Sequence, residues 1–251
     1  MNRLLIALLS VLWISVAAQP KVSPLRILYT YHNAGSGKVA PVELLVQGAE
    51  SLTIFHPEEE SPATQSPDKE FAVEGADEIG RRVYKNLSTG ETFFRDYYPQ
   101  GMEFHPCLVS DPLKPMPWTF GKGEKTIGNY RCMQAFVTFR GRSYEVWYAT
   151  DLPIAHGPWK FSRLPGAMVE IRSSDGMIRF DLVKVETTTK AGVERPSQGK
   201  SMTMEEFVGL KVKSLDEFIS ALRSKLPRGA EITYSTRGDY NLETDFSDIK
   251  R

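Results

Sequence analysis

The sequence predicts a mainly β chain of the α+β class, an antiparallel sheet followed by a C-terminal amphipathic helix. Three observations predict it. Short runs alternating apolar and polar residues recur from Leu25 to Glu186. Glycine-bearing turns separate them, at Gly48, Gly90, Gly141 and Asp175-Gly176, the punctuation of hairpins. Only after Thr203 does the apolar spacing change from a period of two to the 3.6 of a helix.

Before the first strand, Arg3 precedes an apolar run from Leu4 to Val16, broken only by Ser10 and Ser15 and closed by Val16-Ala17-Ala18. Positive start, apolar centre and small-residue exit are the features a signal peptidase reads. The run is short of the roughly 20 apolar residues that span a bilayer. Residues 1–18 are therefore expected to be a cleaved signal peptide, with no cysteine after it for a lipid anchor. Residues 19–251 are expected to form a single β-rich domain that is not membrane-spanning, placed in the periplasm or secreted. The 31 Lys and Arg residues balance the 31 Asp and Glu residues, so the basic footprint of a nucleic-acid binder is missing.

The strand candidates then follow in order. Leu25 to Tyr31 is the first. Val42 to Gln47 and Ser51 to Phe55 flank Gly48-Ala49-Glu50 as a hairpin. About residues 56–80 the composition turns to proline, acids and serine, and an irregular loop is predicted. Arg81 to Leu87 and Glu91 to Tyr97 flank Ser88-Thr89-Gly90. Pro99 to Pro117 holds five prolines and reads as irregular or edge-like. Asn129 to Phe139 and Arg142 to Thr150 meet at Arg140-Gly141, with aromatic residues on both faces. Pro153 to Gly166 is turn-rich. Ala167 to Arg172 and Met177 to Glu186 flank an Asp-Gly turn, and Val193 to Gly199 is a further loop.

Two capping-box spacings, at Thr203–Glu206 and Ser214–Glu217, predict a short helix and then a longer one. The second carries the stripe Leu215, Phe218, Ile219, Leu222 and Leu226 and stops at Pro227. Glu231 to Thr236 is a last strand candidate.

Several chemistries fail on their residues. Gly35-Ser36-Gly37-Lys38 is followed by Val39, where a phosphate-binding loop needs Ser or Thr. His32, His56, His105 and His156 form no metal-ligand spacing, and His105-Pro106-Cys107 alone is a weak fragment. No Gly-x-Ser-x-Gly elbow is present. The acids Glu205 and Glu206 suit a helix start. Asn86-Leu87-Ser88 is a glycosylation sequon, relevant only to a eukaryotic secretory route. No catalytic residue, metal or cofactor is predicted. Cys107 and Cys132 are an even pair behind a signal peptide, so one disulfide is expected, with two buried thiols as the alternative.

The middle of the chain resembles the GLPGLI family, exported proteins of Gram-negative bacteria. The residues that carry the resemblance are Ile127-Gly128-Asn129-Tyr130-Arg131-Cys132-Met133-Gln134-Ala135, then Val146-Trp147-Tyr148-Ala149-Thr150, then Gly157-Pro158-Trp159-Lys160-Phe161. The name-giving hexamer stands here as Arg163-Leu164-Pro165-Gly166-Ala167-Met168, and Tyr240-Asn241-Leu242-Glu243 is similar to the family's close. The resemblance spans about residues 80–245. It implies an envelope protein without settled enzymatic activity, with an outer-membrane, TonB-dependent transport protein as a partner. By architecture alone it is similar to LolA-like half-barrels, a curved antiparallel sheet with the helix packed on one face, whose concave side binds acyl chains.

A single helix covers one face of a sheet, so the other face must bury its aromatic residues in a loop, a ligand or a partner. That places an apolar or peptide ligand at Tyr144, Trp147, Tyr148 and Trp159. The Pro153–Gly166 loop is the competing cover, with Trp159 and Phe161 as a plug. A hydrolase or peptide-processing factor, with a Ser or Cys beside His105 or His156, is the second reading. A structural envelope component is the third.

Overall fold

The computed structural model describes residues 23–56, 77–100, 103–112, 115–189, 192–225 and 242–247. The expected signal peptide, most of the expected 56–80 loop and the strand candidate at 231–236 lie outside them. The first six strands are β1 (Leu25–Asn33), β2 (Lys38–Gln47), β3 (Glu50–Phe55), β4 (Arg81–Asn86), β5 (Thr92–Gln100) and β6 (Glu103–Ser110). Then come β7 (Thr119–Ile127), β8 (Tyr130–Phe139), β9 (Arg142–Ala149), β10 (Ala167–Ser173), β11 (Ile178–Thr187) and β12 (Lys200–Thr203). One helix, α1 (Met204–Lys225), follows.

All twelve strands belong to one sheet, in the order β12-β6-β5-β4-β3-β2-β1-β11-β10-β9-β8-β7. The chain runs outward from β1 to β6 as one meander. It crosses to the far edge at β7 and returns inward to β11, which pairs with β1. Every pairing is antiparallel except β12 on β6. The turns follow from their residues: β8 and β9 are joined by Arg140 and Gly141 alone, both at positive φ, as a tight hairpin requires.

Three strands depart from the sequence expectation. β6 contains Pro106, which pairs with Tyr97 on β5. On its other side β12 reaches only Cys107 to Ser110, so the proline sits beside an unpaired stretch of edge, where it is tolerated. β7 is the opposite edge. Its Gly-Lys-Gly centre breaks the register between Phe120 and Glu124 and removes the alternation that would have marked it. β12 is too short to carry a period. The two expected helices are one continuous helix. Thr203 caps it, its hydroxyl accepting the Glu206 N–H at 3.2 Å while the Glu206 carboxylate accepts the Thr203 N–H at 2.7 Å. Ser214 falls inside the helix; the side chains of Leu215, Phe218, Ile219 and Leu222 and residue Leu226 lie outside what is described.

The expected disulfide is corrected. Cys107 on β6 and Cys132 on β8 are both free and buried. Their strands stand nine places apart in the sheet. Cys107 belongs to the main core, and Cys132 to a small cluster with Ala149 and Val169. Within β8 the main-core residues Ala135 and Val137 alternate with Cys132, so the sheet itself separates the sulfurs.

The main core draws Ile27 and Tyr29 of β1, Leu44 of β2, Phe94 of β5, Val109 of β6, Val146 of β9 and Phe180 of β11 into one cluster. Loop residues Ile154, Trp159, Phe161 and Leu164 join it, with Phe207 from α1. Among the described residues no helix is long and apolar enough to cross a membrane.

Candidate functional site

The inner face of the sheet is divided between a plug and a cleft. The plug is the 150–166 loop between β9 and β10. It ends close to the sheet: a Cβ on Gly166 would overlap the carbonyl of Ala149, so only glycine lets the loop rejoin the sheet at that angle. Trp159 takes φ 52°, a conformation costly for a large side chain. The surroundings fix it there. Its ring lies 5.0 Å from Phe161 and 5.6 Å from Phe139, and Phe161 packs edge-on to Tyr144 at 4.9 Å. Trp118 Nε1 donates to the Ser162 carbonyl at 2.9 Å.

The plug crosses onto the first meander, where a polar clasp receives it. Lys85 of β4 is fully buried, and its Nζ donates to the carbonyls of Gly157 at 2.6 Å and Phe161 at 2.7 Å. Burial pushes this amine down to about 7. His156 Nε2 faces the Gly48 carbonyl at 3.3 Å and so must carry the proton there; Nδ1 then accepts the Ser51 hydroxyl at 2.9 Å. Burial, with Lys85 nearby, lowers this imidazole to about 4. A serine beside a histidine is half of a hydrolytic arrangement. Here the third partner is a carbonyl instead of a carboxylate, and Ser51 and Lys85 of the sheet and His156 of the plug are all buried where the two meet. Hydrolysis gains no support from this dyad. Nor does it from Cys107, whose thiol is pushed up to about 12 by burial and the nearby Asp96.

Beside Trp159, Lys160 enters a buried ionic cluster. Its Nζ lies 2.6 Å from Asp111 and 2.5 Å from Glu243. Arg140 contacts both oxygens of Asp111 at 2.7 Å and Glu243 at 3.0 Å. Two cations and two carboxylates balance, and the cations hold Asp111 below the usual carboxylate range. Glu243 belongs to a C-terminal segment docked on the β8–β9 turn, where Thr244 and Asp245 donate to the Arg140 carbonyl and Tyr144 to that of Leu242.

What the plug leaves uncovered is a cleft of about 380 Å³ over the β1–β5 half of the inner face. Its body is aromatic: Tyr31, Phe55, Phe94, Trp159, Phe207 and Phe246. Asp96 lies at its rim, with Arg81 Nε at 2.8 Å and Lys211 Nζ at 3.5 Å. Both cations lower the Asp96 pKa against the effect of burial. Of the residues the sequence suggested for a ligand, Trp159 alone lines this cleft. Tyr144 and Tyr148 are buried in the core under the plug, and Trp147 lies on the opposite face beneath the ammonium of Lys125, 4.2 Å from its ring. Arg81, Asp96, Phe207 and Lys211 were missed because they come from a strand start, a mid-strand acid and a helix face. Only the folded chain assembles them. Among the described residues no cluster of His, Cys, Asp and Glu could hold a metal ion.

No protein-family model matches the chain, and no curated protein does. Two solved structures of PNGF-II, in space groups P21 and C2, are similar to it, with TM-scores of 0.54 and 0.53 at 14% identity. Each match covers 77% of this chain. The chain corresponds to about a third of the length of PNGF-II, 34% and 33%. The likeness is therefore one of fold, to part of a longer protein.

Proposed function

We propose that this chain is an exported, non-enzymatic binding protein of the cell envelope that holds an apolar ligand in the cleft between α1, the plug and strands β1–β5. The observation that carries the reading is the incomplete plug: it fills the inner face over β8–β11, reaches β3 and β4 at Ser51 and Lys85, and leaves an aromatic-lined concavity beside Trp159. A volume of about 380 Å³ falls in the range of small-molecule sites. The curved, half-barrel-like form of the sheet is part of this proposal. It is supported by the single core that strands far apart in the order share. Attachment to an outer-membrane transport protein rests on the sequence resemblance. The likeness to one part of PNGF-II suits a module that works beside other machinery, at the level of fold alone.

Titration of the purified protein with an uncharged apolar fluorophore tests the reading. Saturable uptake at one site is expected, and Ser36→Trp, at the cleft's rim, is expected to abolish it while the melting temperature holds. Uptake that ignores Ser36→Trp, or none at all, refutes a ligand role for the cleft.

A further inference from the structure

We propose that β7 is the docking surface for a second copy of this chain. The two β7 strands would run antiparallel about a twofold axis at Gly123, joining the sheets of two molecules edge to edge. This surface is separate from the cleft, which lies over β1–β5. β7 ends the strand order, and among the described residues it pairs with β8 alone. Along its nine residues a row of main-chain N–H and C=O groups therefore faces outward, ready to template another strand. At the other end of the sheet the four-residue β12 covers part of β6. The break in the β7 register lies on the β8 side. Neither Gly121 nor Gly123 takes a positive φ, so the outer main chain stays extended from Thr119 to Ile127. Two large apolar side chains stand exposed beside this margin, Phe120 of β7 at 58% and Phe136 of β8 at 40%.

Charge selects a copy of the chain as the occupant and sets the register. Phe120, Lys122, Glu124 and Thr126 share one face of β7, and Thr119, Gly121, Gly123, Lys125 and Ile127 share the other. A lysine on an edge ordinarily holds other strands off. Here an acid two residues along supplies its complement. With the axis at Gly123, Lys122 of each copy faces Glu124 of the other, Phe120 faces Thr126, and Thr119 faces Ile127. The whole strand is then paired, opposite charges meet at two places, and no like charges meet. An axis at Lys122, Glu124 or Lys125 sets that charge against itself. An axis at any remaining residue leaves close to half of the strand or more unpaired. Both charges are available. Lys122 is exposed, and no described carboxylate pairs with it. Glu124, 50% exposed, gives Oε2 to Arg131 and keeps its other oxygen for the second copy. Lys125 is drawn back over its own sheet, 2.8 Å from Glu170 and 4.2 Å from the Trp147 ring, and it meets uncharged Gly121 across the pair. Gly123 puts no side chain on the axis, where the two backbones come closest.

Sedimentation equilibrium of the purified protein over a wide range of concentration tests the pairing. A reversible dimer is expected. Lys122→Glu sets two acids against each other at both contacts, and Glu124→Lys sets two lysines against each other. Each is expected to weaken the dimer by about tenfold or more. Both positions are exposed, so the melting temperature is expected to hold. An equimolar mixture of the two variants is expected to form a heterodimer, because the acidic strand of one then faces the basic strand of the other. The double variant Lys122→Glu/Glu124→Lys is expected to regain self-association. A wild type that stays monomeric overturns the pairing. A dimer that both single variants leave intact overturns it as well, by placing the interface elsewhere. Loss of the dimer in the single variants with recovery in neither the mixture nor the double variant overturns the Gly123 register.

Discussion

Lys160 and Asp111 are charged side chains with almost no exposed surface, 2% and 4%, and such groups persist only when their partners are in place. Removing one partner strands the other in a dry interior, at about 3–5 kcal/mol. Asp111→Ala, which leaves both Lys160 and Arg140 short of a carboxylate, is expected to lower the unfolding free energy by that amount in urea titration. Lys160→Met is expected to cost a similar amount, because Arg140, though it contacts both acids, balances only one of their two charges. His156 gives a second residue-scale prediction, with a sign. Its folded pKa of about 4 lies below the ordinary 6.5. Between those values the unfolded chain holds a proton that the folded chain does not, so stability falls as pH drops through that window. The loss is at most roughly 3 kcal/mol. His156→Gln is expected to flatten this part of a stability–pH profile; an unchanged slope would place the titration elsewhere. Lys85 acts at higher pH. Its folded pKa of about 7 lies below the ordinary 10.5, so stability is expected to climb as pH rises between them, and a neutral amine keeps enough N–H donors for both plug carbonyls. Little of this was legible in the sequence. Lys160 stands between two aromatic residues as an ordinary lysine would, and nothing local to Glu243 announces a partner 83 residues away.

At the scale of elements, the sequence was most readable where local chemistry alone decides the outcome. The Arg140-Gly141 turn, the Asp175-Gly176 turn and the Thr203 cap each need only their own few residues, and each is where the pattern placed it. Thr203→Ala is expected to cost about 1 kcal/mol of thermal stability through the lost cap. The edges were unreadable for the opposite reason. An edge strand need not alternate, since one side has no neighbour, and Pro106, Gly121 and Gly123 sit in the two edge regions. The ligand site was misplaced through a similar gap. Aromatic bulk on both faces of β8 and β9 showed that a cover was needed. It could not show that the plug supplies the cover there and falls short over β1–β5. Gly166→Ala tests how firmly the plug is seated. Its Cβ would meet backbone, which cannot rotate away; a fall in melting temperature is expected, along with altered fluorescence from the displaced Trp159. An unchanged emission spectrum would show that the loop tolerates a different exit.

For the molecule as a whole, the strand order makes two meanders that meet at β1 and β11, and no turn joins those two strands. Three devices cross that seam. Tyr29 of β1 donates to the Met168 carbonyl of β10 at 3.0 Å. The plug leaves one meander to be held by Lys85 of the other. The C-terminal Glu243 joins Asp111, just beyond β6, to Arg140 of the β8–β9 turn through shared ion pairs. The halves are therefore expected to unfold in a single transition, with tryptophan fluorescence and far-ultraviolet dichroism coinciding. Two separated transitions would show that the crossings are weak. The parallel pairing of β12 with β6 adds a matter of timing. Ser110 ends β6, yet its partner begins at Lys200, 90 residues later. At roughly 5–20 residues per second, a ribosome needs about 5–18 s to supply it. Throughout that interval the outer margin of β6 waits as a bare strand, and whatever chaperone attends synthesis of this chain has that margin to guard.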